Sequence, residues 1–152
     1  MPDNNEAPPL PTSTRAFFAQ IGLHLGVDTD LMLAAACGEP FVAPSGLLCR
    51  LHAEQHEATC RAYPEVLLPL AGAELGGADV ERLLAIQEHA LTEYGWRLGL
   101  ADEGLLSLRP LFYPDGAEQV ATQLDQAQAL GRAILSAMLE EAPAAHSVEA
   151  QR

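Results

Sequence analysis

The sequence predicts an α+β fold in which helices pack on one antiparallel sheet. Two stretches alternate apolar and polar residues with the two-residue period of half-buried strands: "LLCRLHA" from Leu47, and "WRLGLADEGLLSLR" over residues 96 to 109. Other segments carry apolar residues at helical spacing, each close to a capping or stop signal. The order helix, three strands, helix, two strands, helix has no repeating strand–helix unit, so the sheet is expected to be antiparallel with three helices against it.

The elements follow in chain order. Residues 1 to 11 carry four prolines and no periodicity, and read as a disordered tail. Thr12, Ser13 or Thr14 can cap a first helix on which Phe17, Phe18, Ile21 and Leu25 recur, with Gly26 as its stop. Residues 27 to 45 are the least patterned part. Asp30 can cap a short helix through Cys37, and Pro40 and Pro44 break anything longer. From Leu47 the period is two, with Leu47, Cys49 and Leu51 on one face and Leu48, Arg50 and His52 on the other. "ATCRAY" and "EVLLPLAG" read as two further strands, Pro69 steering its segment to a sheet edge or a bulge. Asp79 then caps a helix ended by Gly95, with Val80, Leu83, Leu84, Ile86, Ala90, Leu91 and Tyr94 as apolar positions. That stripe is wider than one sheet face needs, which suggests contact with another subunit.

The hairpin follows, with strands Trp96 to Ala101 and Leu105 to Leu111 turning at "DEG". Asp115, with Glu118 three residues on, has capping-box spacing for a last helix. Its face carries Val120, Leu124, Ala127, Ile134 and Met138 to about Glu141, and Pro143 opens a flexible tail over 142–152. The predicted domain is 12–141.

Composition narrows the function. A chain of 152 residues suits one domain, which buries roughly 68–70% of its unfolded surface. Hydrophobic residues form 49% and charged residues 19%, a globular balance. The net charge is −13, from 21 acids against 8 basic residues that are all arginine. Such a chain repels phosphate backbones and anionic lipid, so nucleic-acid and membrane partners are not expected. The N-terminus lacks the basic start and apolar stretch of a signal peptide, and the longest apolar run, "LMLAAAC", cannot span a bilayer. Three cysteines fit reduced thiols better than a disulfide framework, so the expected location is the cytoplasm.

The tempting chemical motif is "CRLHAEQHEATC", which spaces Cys49, His52, His56 and Cys60 at three, four and four. On one helix these side chains could converge on zinc. Strand alternation instead puts Cys49 and His52 on opposite faces and His56 in the turn, which favours a structural hairpin over a zinc or thiol protein. The chain has no "GxSxG", phosphate loop or "GxGxxG", and no lysine to meet a phosphate. His24 and His89 lie on predicted helices, and Asp102 and Glu103 in a turn where solvated charge is ordinary. No catalytic constellation or cofactor site emerges. Phe17 and Phe18 point about 100° apart on a helical wheel, so one face cannot bury both equally.

The element order, size and acidity resemble the class I type III secretion chaperones, the Tir-chaperone-like family, over about residues 13 to 141. The resemblance rests on "LLAIQEHAL", "WRLGLAD", "GLLSLRP" and "GAEQVATQLDQAQALGRAIL", which are similar to the family's Leu-rich helix, paired strands and long last helix. "EVLLPLAGAELGG" is similar to the strand and loop before that Leu-rich helix. The chain departs from the pattern at residues 27 to 45 with an Ala- and Pro-containing link. The resemblance implies a homodimer using Leu84, Leu91, Tyr94, Trp96 and Leu98. It also implies a client, the N-terminal segment of a secreted effector, held in extended form without cofactor or ATP. Candidate client contacts are Phe17, Phe18 and Ile21 on the first helix, with Leu47, Cys49 and Leu51, or else their opposite-face neighbours, on the sheet. An unrelated dimeric protein-binding adaptor is the alternative.

Overall fold

Helix α1 (Thr12–Leu25) opens on Pro11, whose carbonyl accepts the Arg15 N–H at 3.0 Å. In this computed structural model, which describes residues 10–56 and 59–150, none of the three predicted hydroxyl caps therefore caps α1. Thr14 is buried instead, and its hydroxyl donates to Gln55 Oε1 at 3.1 Å. Gly26 ends the helix in the left-handed conformation, as its position predicts. The segment read as a disordered tail lies, through Pro9, outside the described residues.

The unpatterned link contains a fourth helix, α2 (Thr29–Ala36), which follows Asp28 rather than Asp30. The fold therefore has four helices where three were expected, the short helix offered between Asp30 and Cys37 being the fourth. The helix was hard to read because it is only 8 residues long and buries just Met32 and Ala35. It packs on α1 and flanks the sheet.

The strands also divide differently from the prediction. A two-residue strand β1 (Phe41–Val42) pairs with β2 (Leu48–His56), and the predicted second and third strands are one 13-residue strand, β3 (Thr59–Ala71). Pro64 does not break β3, because β5 pairs with it only from Val66 onward, leaving one flank without a ladder partner at Pro64. Pro69 falls within a register shift between Leu67 and Ala71, the bulge its sequence position suggests. A short 3₁₀ turn, Gly72–Glu74, leads to α3 (Gly77–His89). Asp79 is inside α3 rather than at its cap, and its Oδ2 accepts the Gly76 N–H at 3.0 Å. The helix widens into a π turn, Ala90–Tyr94, and stops at Gly95, with φ 70°. Strands β4 (Trp96–Leu100) and β5 (Leu105–Pro110) form the predicted hairpin. Helix α4 (Ala117–Ala150) starts one residue later than an Asp115 cap would place it, with the Gly116 carbonyl accepting the first helical N–H from Val120, and it runs beyond Glu141, past Pro143.

All strand pairs are antiparallel, in the order β1-β2-β3-β5-β4. β3 is central, and β4 ends the sheet, with no strand partner on its outer side among the described residues. Helices α1 and α4 cover the face that carries Cys49, Leu51, Val66 and Leu108. All five residues read as the face of the last helix are buried, Val120, Leu124 and Ala127 completely. The helix comes closest at Gly131, where an added Cβ would stand 2.9 Å from Leu68 Cδ2 and 3.1 Å from Leu47 Cδ1. Close packing of a long helix on a sheet needs the small residue there. Among the described residues, no helix is long and apolar enough to cross a membrane.

Candidate protein-binding surfaces

Helix α3 is attached to the rest of the fold by a narrow strip. Leu83 and Ala90 are buried, whereas Val80 and Leu84 are 44% and 61% exposed. Ile86 and Leu91 are half-buried, and Tyr94 is 59% exposed. The wide stripe thus points partly inward and partly to the surface. Beside it runs β4, whose outer edge has no strand partner among the described residues. Between them lies an apolar groove of about 240 Å³, lined by Leu75, Val80, Leu84, Gln87, Leu98 and Leu100 among others. A second cleft of about 510 Å³ opens at the other end of β4, where Tyr94 and Trp96 face Ala129, Leu130 and Ala133 of α4. A run of exposed apolar side chains along an open strand edge is the surface that monomeric proteins avoid.

The candidate dimer residues divide accordingly. Leu84 and Tyr94 are exposed, Leu91 is half-buried, and Trp96 and Leu98 are 3% and 8% exposed. Trp96 and Leu98 therefore support the surface from beneath, though both touch its clefts. Leu100, 62% exposed, belongs to this surface and was not singled out from sequence. Its position as the last alternating residue of an edge strand is the signal that could have found it.

The candidate client contacts are nearly all interior. Phe18, Ile21 and Cys49 have no exposure, Leu51 has 1% and Leu47 8%. They belong to one core cluster, so in the protomer they are packing residues and do not line a groove. Phe17 differs. It is half-buried at the rim, its ring edge-on to Phe18 with centroids 6.0 Å apart. The 100° separation on the wheel thus resolves with Phe18 inward.

Of the zinc-like set, Cys49 faces the helices and His52 the opposite side of the sheet, as strand alternation requires. The His56 side chain is outside the described part. Among the described residues, no three His, Cys, Asp or Glu side chains converge as ligands. Burial pushes the Cys49 thiol up to about 12, against a weaker opposing hydrogen bond from the Ala43 backbone. Such a thiol stays protonated and behaves as a small hydrophobe.

The sheet face away from α1 and α4 carries a polar cluster that sequence reasoning did not assemble. Its centre is Glu65, fully buried, paired across β2–β3 with Arg50. Glu65 Oε1 accepts from His52 Nε2 at 3.1 Å and from Arg50 Nη1 at 3.4 Å, and Oε2 accepts from Arg109 Nε at 2.5 Å. Arg50 also reaches Glu103 in the β4–β5 turn. Burial pushes the Glu65 carboxyl up, but the hydrogen bonds and charges of His52 and Arg109 outweigh it and hold the group at about 2. Tyr63 stacks on His52 with ring centroids 4.7 Å apart. The signal was in the polar alternates of each strand, Arg50 and His52, Tyr63 and Glu65, Arg97 and Arg109, and only the register joins them.

Compared with known proteins, the chain matches no family model, no curated protein and no solved structure.

Proposed function

We propose that this chain is a homodimeric, non-catalytic chaperone that binds an extended segment of a secreted effector and keeps it soluble and fit for export. The observation that carries the reading is the exposed apolar half of α3 lying beside the free edge of β4. A two-fold axis through such a patch reuses Leu84, Tyr94 and Leu100 on both subunits and removes them from water. The order of α1, strands, α3, a hairpin and α4 supports the reading, with α2 an addition and the first three strands divided differently from the expectation. Client affinity would come from apolar side chains seated in surface clefts and from main-chain pairing to open strand edges, which needs no cofactor. Of the client contacts named on α1 and on the helix-facing side of β2, Phe17 is the one at the surface.

The test has two parts. Light scattering at micromolar concentration should give twice the 16.2 kDa chain mass. Co-purification from the native cell, followed by mass spectrometry, should return a secreted protein whose N-terminal segment alone binds the purified dimer. A monomer, or a partner that binds only through a folded domain, overturns the reading.

A further inference from the structure

On the sheet face away from α1 and α4, Arg97 of β4 stands directly across the ladder from Arg109 of β5. Like charges at directly opposed positions of an antiparallel pair repel. Arg109 is only partly compensated. It spends its Nε on Glu65, a carboxylate already shared with Arg50 and His52, and its two terminal Nη groups have no partner among the described residues. Arg97 is exposed and has no hydrogen bond or ion pair there. The two guanidinium groups line a cavity of about 200 Å³ closed by Tyr63, Tyr113, Pro110 and Leu111. Tyr113 is set edge-on to Tyr63, with centroids 5.0 Å apart, and its hydroxyl donates to Glu54 at 3.2 Å. The pocket therefore has two aromatic walls, one arginine without a partner among the described residues and one only partly compensated, in a chain whose net charge is −13.

We infer that this pocket binds a carboxylate side chain of a polypeptide, held between Arg97 and the free Nη groups of Arg109. A planar guanidinium fork matches a carboxylate in two-point geometry, and an anion placed between the two arginines relieves their repulsion. The charge balance favours a single carboxylate over a phosphate-rich polymer, which the remaining acids of the surface repel. Beside the pocket, Leu111 and Phe112 are 44% and 77% exposed, so an acidic residue flanked by apolar ones fits the whole patch. The inference rests on the protein-binding reading only in taking the occupant to be a polypeptide, and it is independent of dimerisation.

The experiment titrates the isotope-labelled full chain with acetyl-leucyl-glutamyl-leucine amide, its glutaminyl counterpart and inorganic phosphate, read by nuclear magnetic resonance. The glutamyl peptide should shift the Arg109 Nε–H and the backbone amides of Arg97 and Tyr113, saturating at millimolar concentration. Arg97→Ala should weaken this about tenfold, the worth of one charge-assisted hydrogen bond. Its melting temperature should not fall, because Arg97 is bonded to nothing within the described fold and its loss removes the repulsion of Arg109. Arg132→Ala, on exposed α4 surface, should bind as the parent does. Equal shifts with the glutaminyl peptide, shifts confined to other regions, or phosphate binding at least as tightly as the glutamyl peptide would each overturn the assignment. Absent shifts in an intact dimer sink this site alone, whereas intact shifts in a monomer sink the dimer reading alone.

Discussion

Arg109 Nε lies 2.5 Å from Glu65 Oε2 across 44 positions of sequence, and that contact ties β5 to the central strand from the face opposite the helices. Glu65 is buried and ionised, so its stabilisation depends entirely on the cations around it. Glu65→Gln removes the anion while leaving Arg109 and Arg50 in place. Removing one member of a buried pair costs roughly 3–5 kcal/mol, and urea unfolding at neutral pH should show a loss of that order.

The same carboxylate sets an acid limit on the fold. Its pKa is depressed from 4.5 to about 2 on folding, so the unfolded chain takes up the proton first as pH falls. The stabilisation is complete above about 4.5 and is lost progressively as pH drops towards about 2. Urea midpoints at successive pH values should fall across that window. In Glu65→Gln this part of the slope should be absent, and a parallel slope would show that other carboxylates dominate.

Phe17 and Phe18 should separate in a truncation experiment. Phe18 is fully buried, and Phe18→Ala should cost roughly 3–5 kcal/mol through lost burial and the cavity left behind. Phe17 is half-buried at the rim, and Phe17→Ala should cost well under half as much. Paired denaturation curves decide it, and equal losses would place both rings in the core. A client pull-down with Phe17→Ala then isolates any binding role from stability.

The contrast between those two rings shows what the sequence could and could not convey. Its helical spacing placed both on one element, but only the crossing of α1 over the sheet decides which points inward. The stripe of α4 was legible because Val120, Leu124, Ala127, Ile134 and Met138 repeat over many turns and all face one sheet. The β4–β5 hairpin was legible for the same reason at period two. β3 reads as two strands because Pro64 falls between them and looks like a break, and its tolerance depends on a missing ladder partner that a single strand cannot reveal, whereas the bulge at Pro69 was legible. The Glu65 cluster draws one or two residues from each of three strands and one from the β4–β5 turn, so no local window contains it.

Thiol chemistry should sort the cysteines by environment. Cys37 is exposed, Cys60 half-buried, and Cys49 buried with its thiol pushed up to about 12. An aromatic disulfide reagent at pH 8 should label Cys37 rapidly and leave Cys49 unreacted until the chain unfolds. Mass spectrometry of timed digests reads each site separately. Fast labelling of Cys49 in the folded protein would mean that the packing between sheet and helices opens locally.

The α3–β4 surface makes the sharpest demand, because its residues differ so strongly in burial while lying side by side. Leu84 and Leu100 are 61% and 62% exposed in the protomer, and Leu98, two residues before Leu100, is 8% exposed. Surface substitutions away from special features usually change stability by less than about 0.5 kcal/mol. Leu84→Glu and Leu100→Glu should therefore leave the protomer folded, with the circular dichroism of the parent. In a two-fold interface each substitution places two carboxylates near the axis without a cation, so both variants should be monomeric by light scattering. Leu98→Glu puts the charge into the sheet–helix core and should unfold the chain, giving aggregate in place of monomer. The pattern of folded monomer for the outer pair and collapse for the inner residue is the signature of an interface built on α3 and β4. Variants at Leu84 and Leu100 that dimerise as well as the parent would move the two-fold contact elsewhere on the molecule.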